Sequence, residues 1–438
     1  MQVKVLKFGG SSLADAEQMK KVAAIVKADP ACHYVIPSAP GKRFSGDDKV
    51  TDLLYRCYEL SKTEEDISEV FEIIKNRYRD IIKGLGMDYS LEEEFTKIEM
   101  SIVNHAGRDY VASRGEYLNG RILANYLGFK FIDAAKCIFF KENGTFDAEA
   151  TNESLAARLE NYEHAVIPGF YGSMPNGTIK TFSRGGSDIT GAIVARAARA
   201  DLYENWTDVS GFLMADPRIV ENPKPIDVIT YRELRELAYM GATVLHDESI
   251  FPVRHAGIPI NIRNTNDPSA KGTMIVPNVK DSSDKSVITG IAGKTGISII
   301  SLEKDMMNAE LGFGRRVLQV VEENGISFEH LPSGVDTLSI VLHSSALEGK
   351  REKVLAEIRR AVSPDTLTIE DGYALIAVVG RRMVAAKGTA QRVFRAVADA
   401  DINIKMIDQG SSEMDIIIGV RECDYKPAIN AIYKEFDA

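Results

Sequence analysis

The chain has 438 residues, 45% hydrophobic and 26% charged, an ordinary composition for about two to four soluble domains. With 53 Lys and Arg against 63 Asp and Glu, its net charge of −10 argues against a general nucleic-acid binder. Scattered cysteines, no apolar run near the ~18 residues that span a bilayer, and no signal-peptide pattern argue against a disulfide scaffold, structural zinc or a membrane anchor, and predict a cytoplasmic protein.

In chain order, residues 3–8 predict a strand, Gly9-Gly10-Ser11-Ser12 a turn, and the stripe Leu13, Met19, Val22, Ala23, Val26 a helix. Residues 34–37 predict a second strand, ending in Ser38-Ala39-Pro40-Gly41. Residues 51–85 and 91–107 predict helices. Further strands are expected at 129–132, 165–168 and 202–206, with a small-residue helix at 189–200. Strands alternating with helices up to a polar linker at 278–285 predict an α/β domain built on one large, mostly parallel sheet.

Beyond the linker the chain repeats itself at an offset of 76. Met307 matches Met383, Gly312 matches Gly388, Arg316 matches Arg392, Val317 matches Val393, Ile326 matches Ile402 and Ile340 matches Ile416, without a gap. Identities held in phase through a helix face and the following strands indicate a structural duplication. Each copy reads strand–helix–strand–strand–helix, a small α+β unit.

Several segments carry chemistry. In Lys7-Phe8-Gly9-Gly10-Ser11-Ser12, glycines let the backbone approach a ligand, the helix start favours an anion, and Lys7 supplies a point charge. Thr181-Phe182-Ser183-Arg184-Gly185-Gly186-Ser187-Asp188 combines an arginine fork with an aspartate able to position a lysine or a metal ion, and it also suits a capped helix start. Ser113-Arg114-Gly115-Glu116 reads as a helix start, for which capping is a full structural explanation. Trp206-Thr207-Asp208-Val209-Ser210-Gly211 ends a strand in polar residues, where open α/β sheets place ligands, and Ala215-Asp216-Pro217-Arg218 and Lys271-Gly272-Thr273 follow. Gly293-Lys294-Thr295 lacks the earlier glycine of a phosphate-binding loop and is read as a turn.

Together these motifs resemble the amino acid kinase family, and within it the aspartate kinases. The matching stretches are Lys7–Ser12, Ser113–Glu116, Arg184–Asp188, Thr207–Val209 and Ala215–Arg218, and the repeat resembles paired C-terminal ACT modules. The resemblance implies an amino acid kinase domain at 1–284, a βαββαβ ACT module at 285–365 and a second at 366–438. The first strand after the linker, about 288–302, is left open between the modules. It implies phosphoryl transfer from ATP, with Mg²⁺ held mainly by nucleotide and water, to the side-chain carboxylate of L-aspartate. That is the first step toward lysine, threonine and methionine.

Lys7 and Asp188 are the implied catalytic pair. Gly9, Gly10, Ser11, Thr207, Asp208, Leu213 (as a packing contact), Asp216, Arg218, Lys271, Gly272 and Thr273 would join Lys7 around ATP. Ser38, Thr51, Glu116, Arg184 and Ser187 would hold aspartate. Two positions depart from the family pattern: Ser210 replaces a usual aspartate and Leu213 a common tyrosine. The ACT pair implies feedback inhibition by lysine, alone or with threonine, at Met307, Phe313, Glu329, Ser333 and Asp336, and a homodimer or larger assembly through these modules. Without the resemblance, Met307 and Phe313 read equally as core and Glu329 as a solvated strand residue. Rival readings are a kinase of the same family acting on glutamate, acetylglutamate, carbamate or UMP, and an inactive amino-acid sensor.

Overall fold

A computed structural model describes residues 2–183, 185–242, 250–279 and 286–437. The chain forms two compact units. The first comprises residues 1–212, 225–231 and 243–280; the second comprises 213–224, 232–242 and 281–438.

The first unit contains β1 (Lys4–Phe8), β2 (Cys32–Pro37), β3 (Lys130–Phe131), β4 (Ala165–Val166), β5 (Tyr171–Ser173), β6 (Ile179–Thr181), β7 (Leu202–Thr207), β8 (Val228–Thr230), β9 (Ile260–Asn264) and β10 (Thr273–Val276). Eight of them form one sheet in the order β3-β4-β2-β1-β7-β9-β10-β8, and β5 and β6 make a separate hairpin. All pairs in the large sheet are parallel except β9 with β10. The central strands β1 and β2 are almost wholly buried, as parallel strands covered on both faces must be, and mostly apolar apart from Lys4, Lys7 and His33.

The covering helices are α1 (Ala16–Ala28), α2 (Val50–Lys62), α3 (Ser68–Gly84), α4 (Glu92–Val103), α5 (Arg108–Leu127), α6 (Ala148–Leu159) and α7 (Gly186–Ala197). The helical stretch expected over 51–85 is broken between α2 and α3. Glu64 takes a left-handed φ of 59° there, and Asp66 accepts the Ser68 amide at 2.9 Å. Ser113 and Glu116 do not start a helix but lie inside α5, which begins after an extended Gly107; the Ser113 hydroxyl donates to the Tyr110 carbonyl at 2.7 Å.

The second unit contains α8 (Tyr231–Tyr239, from Arg232 onward) and an antiparallel sheet. Its strands are β11 (Gly290–Glu303), β12 (Thr337–His343), β13 (Thr366–Val379), β14 (Met406–Asp408) and β15 (Asp415–Arg421), ordered β12-β11-β13-β15-β14. Helices α10 (Phe313–Glu323), α11 (Arg351–Val362), α12 (Thr389–Asp399) and α13 (Tyr425–Asp437) complete the unit, and α9 (Phe251–Ala256) belongs to the first. The duplication is visible in the fold: β13 and α12 begin and end 76 residues after β11 and α10.

β11 serves both copies. Its second half runs between β12 and the first half of β13, while its first half pairs with the part of β13 that also carries β15. The strand expected before β12 shrinks to the bridges His330–Val341 and Ser333–Leu338. Pro332, which has no amide hydrogen to donate, stands where the second copy has Asp408 of β14.

Candidate active site

The loops after β1, β2 and β7 leave the sheet at its carboxyl end, where open α/β sheets bind ligands. They line a cavity of about 580 Å³ with Gly10, Ser11, Ser38, Gly41, Lys42, Arg43, Lys49, Thr51, Glu116 and Asp208 among its walls. Two of the loops touch backbone to backbone. The Gly41 amide donates to the Gly10 carbonyl at 2.8 Å, and a Cβ on Gly41 would lie 2.6 Å from the Gly10 carbonyl carbon. Only glycine permits that approach.

Lys7 stands at the end of β1, 8% exposed. Its ammonium lies 2.6 Å from Asp188 Oδ1 and donates to Asn205 Oδ1 at 3.2 Å. Asp188 occupies the first turn of α7, whose preceding Gly185 takes a left-handed φ of 56°. Arg184 lies outside the described residues. The Gly9 amide, expected to meet an anion, continues the sheet ladder instead and donates to the Trp206 carbonyl at 3.0 Å. The Gly10 and Ser11 amides make no hydrogen bond with described residues, so they remain able to receive one.

Glu116 projects from α5 into the cavity wall, 5% exposed. Burial pushes its carboxyl up to about 8, against an opposing hydrogen bond from the Ala39 amide. Its Oε2 has no hydrogen-bond partner. A buried, unbonded carboxylate oxygen is costly, and an ammonium would satisfy it. Thr51, in the first turn of α2, and Ser38 share this cavity. Asn119, one turn beyond Glu116, fixes the neighbouring loop by donating to the Ser38 carbonyl at 2.6 Å. Ser187 is not among the cavity walls; it packs on Gly169, where a Cβ would approach its hydroxyl to 2.6 Å.

The nucleotide set is only partly gathered. Thr207 donates to Asp208 Oδ1 at 3.1 Å. Lys271 is exposed, and Gly272 is left-handed beside it. Thr273 is fully buried, and its hydroxyl is consumed locally: it donates to the Ile226 carbonyl at 2.6 Å and accepts the Phe212 amide at 2.8 Å. Leu213, Asp216 and Arg218 belong to the second unit. There the Arg218 fork grips Asp216 at 2.6 Å and holds its carboxyl below the usual range.

The expected effector residues differ in their surroundings. Met307 and Phe313 are core residues with Val317, Ile340 and Leu342. Ser333 and Asp336 are exposed on the loop before β12, tied to the Met307 segment by the Lys304 amide bonding the Asp336 carbonyl at 2.9 Å. Glu329 is not a solvated strand residue: its carboxylate meets the Lys294 ammonium and the Tyr239 hydroxyl, with His343 Nε2 at 3.7 Å. Despite burial, these partners hold its carboxyl below the usual range.

Sequence reasoning missed Asn205, Asn119 and the buried Arg77–Asp47 pair that braces the cavity loop. Asn205 had a signal, a polar amide inside the buried strand Tyr203–Trp206, and Arg77 had another, a charge on the buried face of α3.

Comparison with known proteins agrees with this architecture. An "Amino acid kinase family" model matches residues 2–264, and an ACT domain model matches 376–436. Aspartokinase 3 of Bacillus subtilis is 42% identical over 100% of this chain and 99% of its own length. The crystal structure of Clostridium acetobutylicum aspartate kinase superposes with a TM-score of 0.93 at 50% identity, covering 100% of both chains. E. coli aspartokinase III, solved with aspartate and ADP in the R-state and with lysine and aspartate in the T-state, gives a TM-score of 0.76 at 25% identity, again over 100% of both chains. The chain belongs to the amino acid kinase family, in its aspartokinase branch.

Proposed function

We propose that the chain transfers the γ-phosphoryl group of ATP to the side-chain carboxylate of L-aspartate, giving 4-phospho-L-aspartate. One observation carries the reading: the cavity that opens on the Gly10–Ser11 turn is also lined by Glu116, whose buried Oε2 has no hydrogen-bond partner. One region suits phosphate and the other an α-ammonium.

The acceptor carboxylate is ionised at neutral pH and needs no base to activate it. The obstacle is the approach of two anions, so the work is positioning and charge stabilisation. Lys7 neutralises charge on the transferring group, helped by the Gly10 and Ser11 amides. Asp188 orients Lys7 and takes no proton. Glu116 receives the substrate ammonium, Arg184 a substrate carboxylate, and Ser38, Thr51 and Ser187 complete the aspartate site. Thr207, Asp208, Leu213, Asp216, Arg218, Lys271, Gly272 and Thr273 form the nucleotide site.

Among the described residues no group of three His, Cys, Asp or Glu side chains could hold a metal ion. A Mg²⁺ ion would arrive on the nucleotide with its water ligands. Its chemistry there is to spread phosphate charge.

The domain limits proposed are a kinase domain at 1–284 and ACT modules at 285–365 and 366–438. The ACT-type repeat and the lysine complex of E. coli aspartokinase III support lysine as feedback effector, alone or with threonine. A homodimer or larger assembly through the modules, a cytoplasmic location and a place at the head of lysine, threonine and methionine synthesis complete the reading.

The test is a coupled assay with ATP against aspartate, glutamate, acetylglutamate, carbamate and UMP. Turnover with aspartate alone is expected. Turnover with another acceptor, or with none, rejects the reading.

A further inference from the structure

Lys7 and Asn205 are direct partners in the parallel β1–β7 ladder, so their side chains leave the same face of the sheet. Asn205 is 3% exposed, and a buried amide is costly unless both of its ends are bonded. Both are: Oδ1 accepts from Lys7 at 3.2 Å and Nδ2 donates to Asp188 Oδ1 at 2.9 Å. The reversed amide would set NH₂ against an ammonium and oxygen against a carboxylate, so its neighbours determine its orientation.

We propose that Asn205 is a positioning residue for the Lys7 ammonium in phosphoryl transfer, a role that rests on the function proposed above. An ammonium has three N–H donors. Asn205 takes one, Asp188 pairs with the ammonium at 2.6 Å, and a donor is left for an anionic oxygen. Asp188 alone would leave Lys7 free to swing between carboxylate oxygens. The neutrality of the amide matters as much as its shape. Lys7 and Asp188 cancel, and an ionised third group would make the cluster anionic where phosphate must approach. Among the described residues, no other titratable side chain bonds the side chains of this cluster: Tyr203 donates to the backbone carbonyl of Asp188 at 3.1 Å, and Glu204, the preceding residue of β7, bonds the Trp206 indole and lies 3.6 Å from both Lys4 and Arg263.

The test compares wild type, Lys7→Ala, Asn205→Leu and Asn205→Asp as full-length chains with ATP and L-aspartate, between about pH 6 and pH 9. Asn205→Leu is expected to lower kcat about 10–100-fold, with both KM values within about threefold, the signature of a misplaced group. Asn205→Asp is nearly isosteric and keeps the test valid where the leucine variant fails to fold. Its introduced carboxyl, when ionised, repels Asp188 and phosphate. When protonated, it accepts from Lys7 and donates to Asp188 as the amide does. Its kcat relative to wild type therefore recovers as pH falls, and that of Asn205→Leu does not. A leucine variant with wild-type kcat, or an aspartate variant whose deficit is independent of pH, overturns the proposal. A wild-type chain that phosphorylates no aspartate instead overturns the reading beneath it.

Discussion

Arg77 on α3 donates through Nη2 to Asp47 Oδ2 at 2.7 Å, with 4% and 8% of the two side chains exposed. The same guanidinium reaches the Gly41 carbonyl at 3.0 Å, and Arg43 closes on Asp47 from the other side at 2.9 Å. The hydrogen bonds from Arg43, and the charge of Arg77, hold the Asp47 carboxyl well below the usual carboxylate range. A depressed carboxyl stabilises the fold above its unfolded pKa of about 3.9, and that contribution is lost as pH falls further. Arg77→Met removes the buried partner and leaves Asp47 to Arg43 alone, and should cost about 1–3 kcal/mol in urea unfolding at neutral pH. Because the braced loop lines the cavity, the aspartate KM should rise as well. A loss below about 1 kcal/mol would mean that the pair behaves like an exposed one.

Lys7→Ala removes the one side-chain cation paired with Asp188 among the described residues. The expected outcome is a kcat about 10²–10³-fold lower, the scale of losing one preorganised donor to a developing charge. The aspartate KM should stay within a few-fold and the chain should remain folded, checked by thermal melting beside steady-state kinetics. Near-wild-type turnover would rule out the lysine.

What was legible in the sequence was local or repeated. The β1 strand with its glycine turn declares itself in ten contiguous residues, 3–12, and the 76-residue repeat shows because both copies keep the same helix face. What was hidden depends on register between distant strands. Asn205 matters only because β7 pairs beside β1, bringing together residues 198 apart. Arg77 finds Asp47 across a loop that has no periodicity of its own. Lys294, discounted as part of a turn, partners Glu329 because β11 runs on through both copies. Thr273 carries a ligand-binding residue type but spends its hydroxyl on two backbone groups, a use that spacing does not reveal.

Of the residues proposed to bind the effector, Glu329 has the strongest electrostatic setting, an almost buried carboxylate facing an intramolecular ammonium. Added lysine is expected to inhibit the wild-type enzyme. Glu329→Gln should raise the half-inhibitory concentration about tenfold or more, as loss of a charge-assisted hydrogen bond of ~1.5–3 kcal/mol implies. Titration of both proteins decides the matter. Equal sensitivity excludes Glu329, and no inhibition of wild type excludes lysine.

Glu116 gives the pH dependence a definite sign. Its carboxyl, pushed up to about 8 by burial, is mostly protonated at neutral pH in the ligand-free chain. An ammonium binds the ionised form, so aspartate binding must expel that proton. Apparent affinity should therefore weaken as pH drops below 8, approaching about tenfold per pH unit. Calorimetry in two buffers of different ionisation enthalpy should show release of nearly one proton at pH 7. Stability has the opposite slope to that of Asp47. A raised carboxyl contributes fully below its unfolded pKa of about 4.3, and the contribution is lost as pH rises through the folded value. Glu116→Gln should flatten both curves, weakening aspartate binding at pH 8 while relieving the alkaline loss of stability. Binding without proton release, combined with an aspartate KM that does not vary below pH 8, would falsify the assignment of Glu116 to the substrate ammonium.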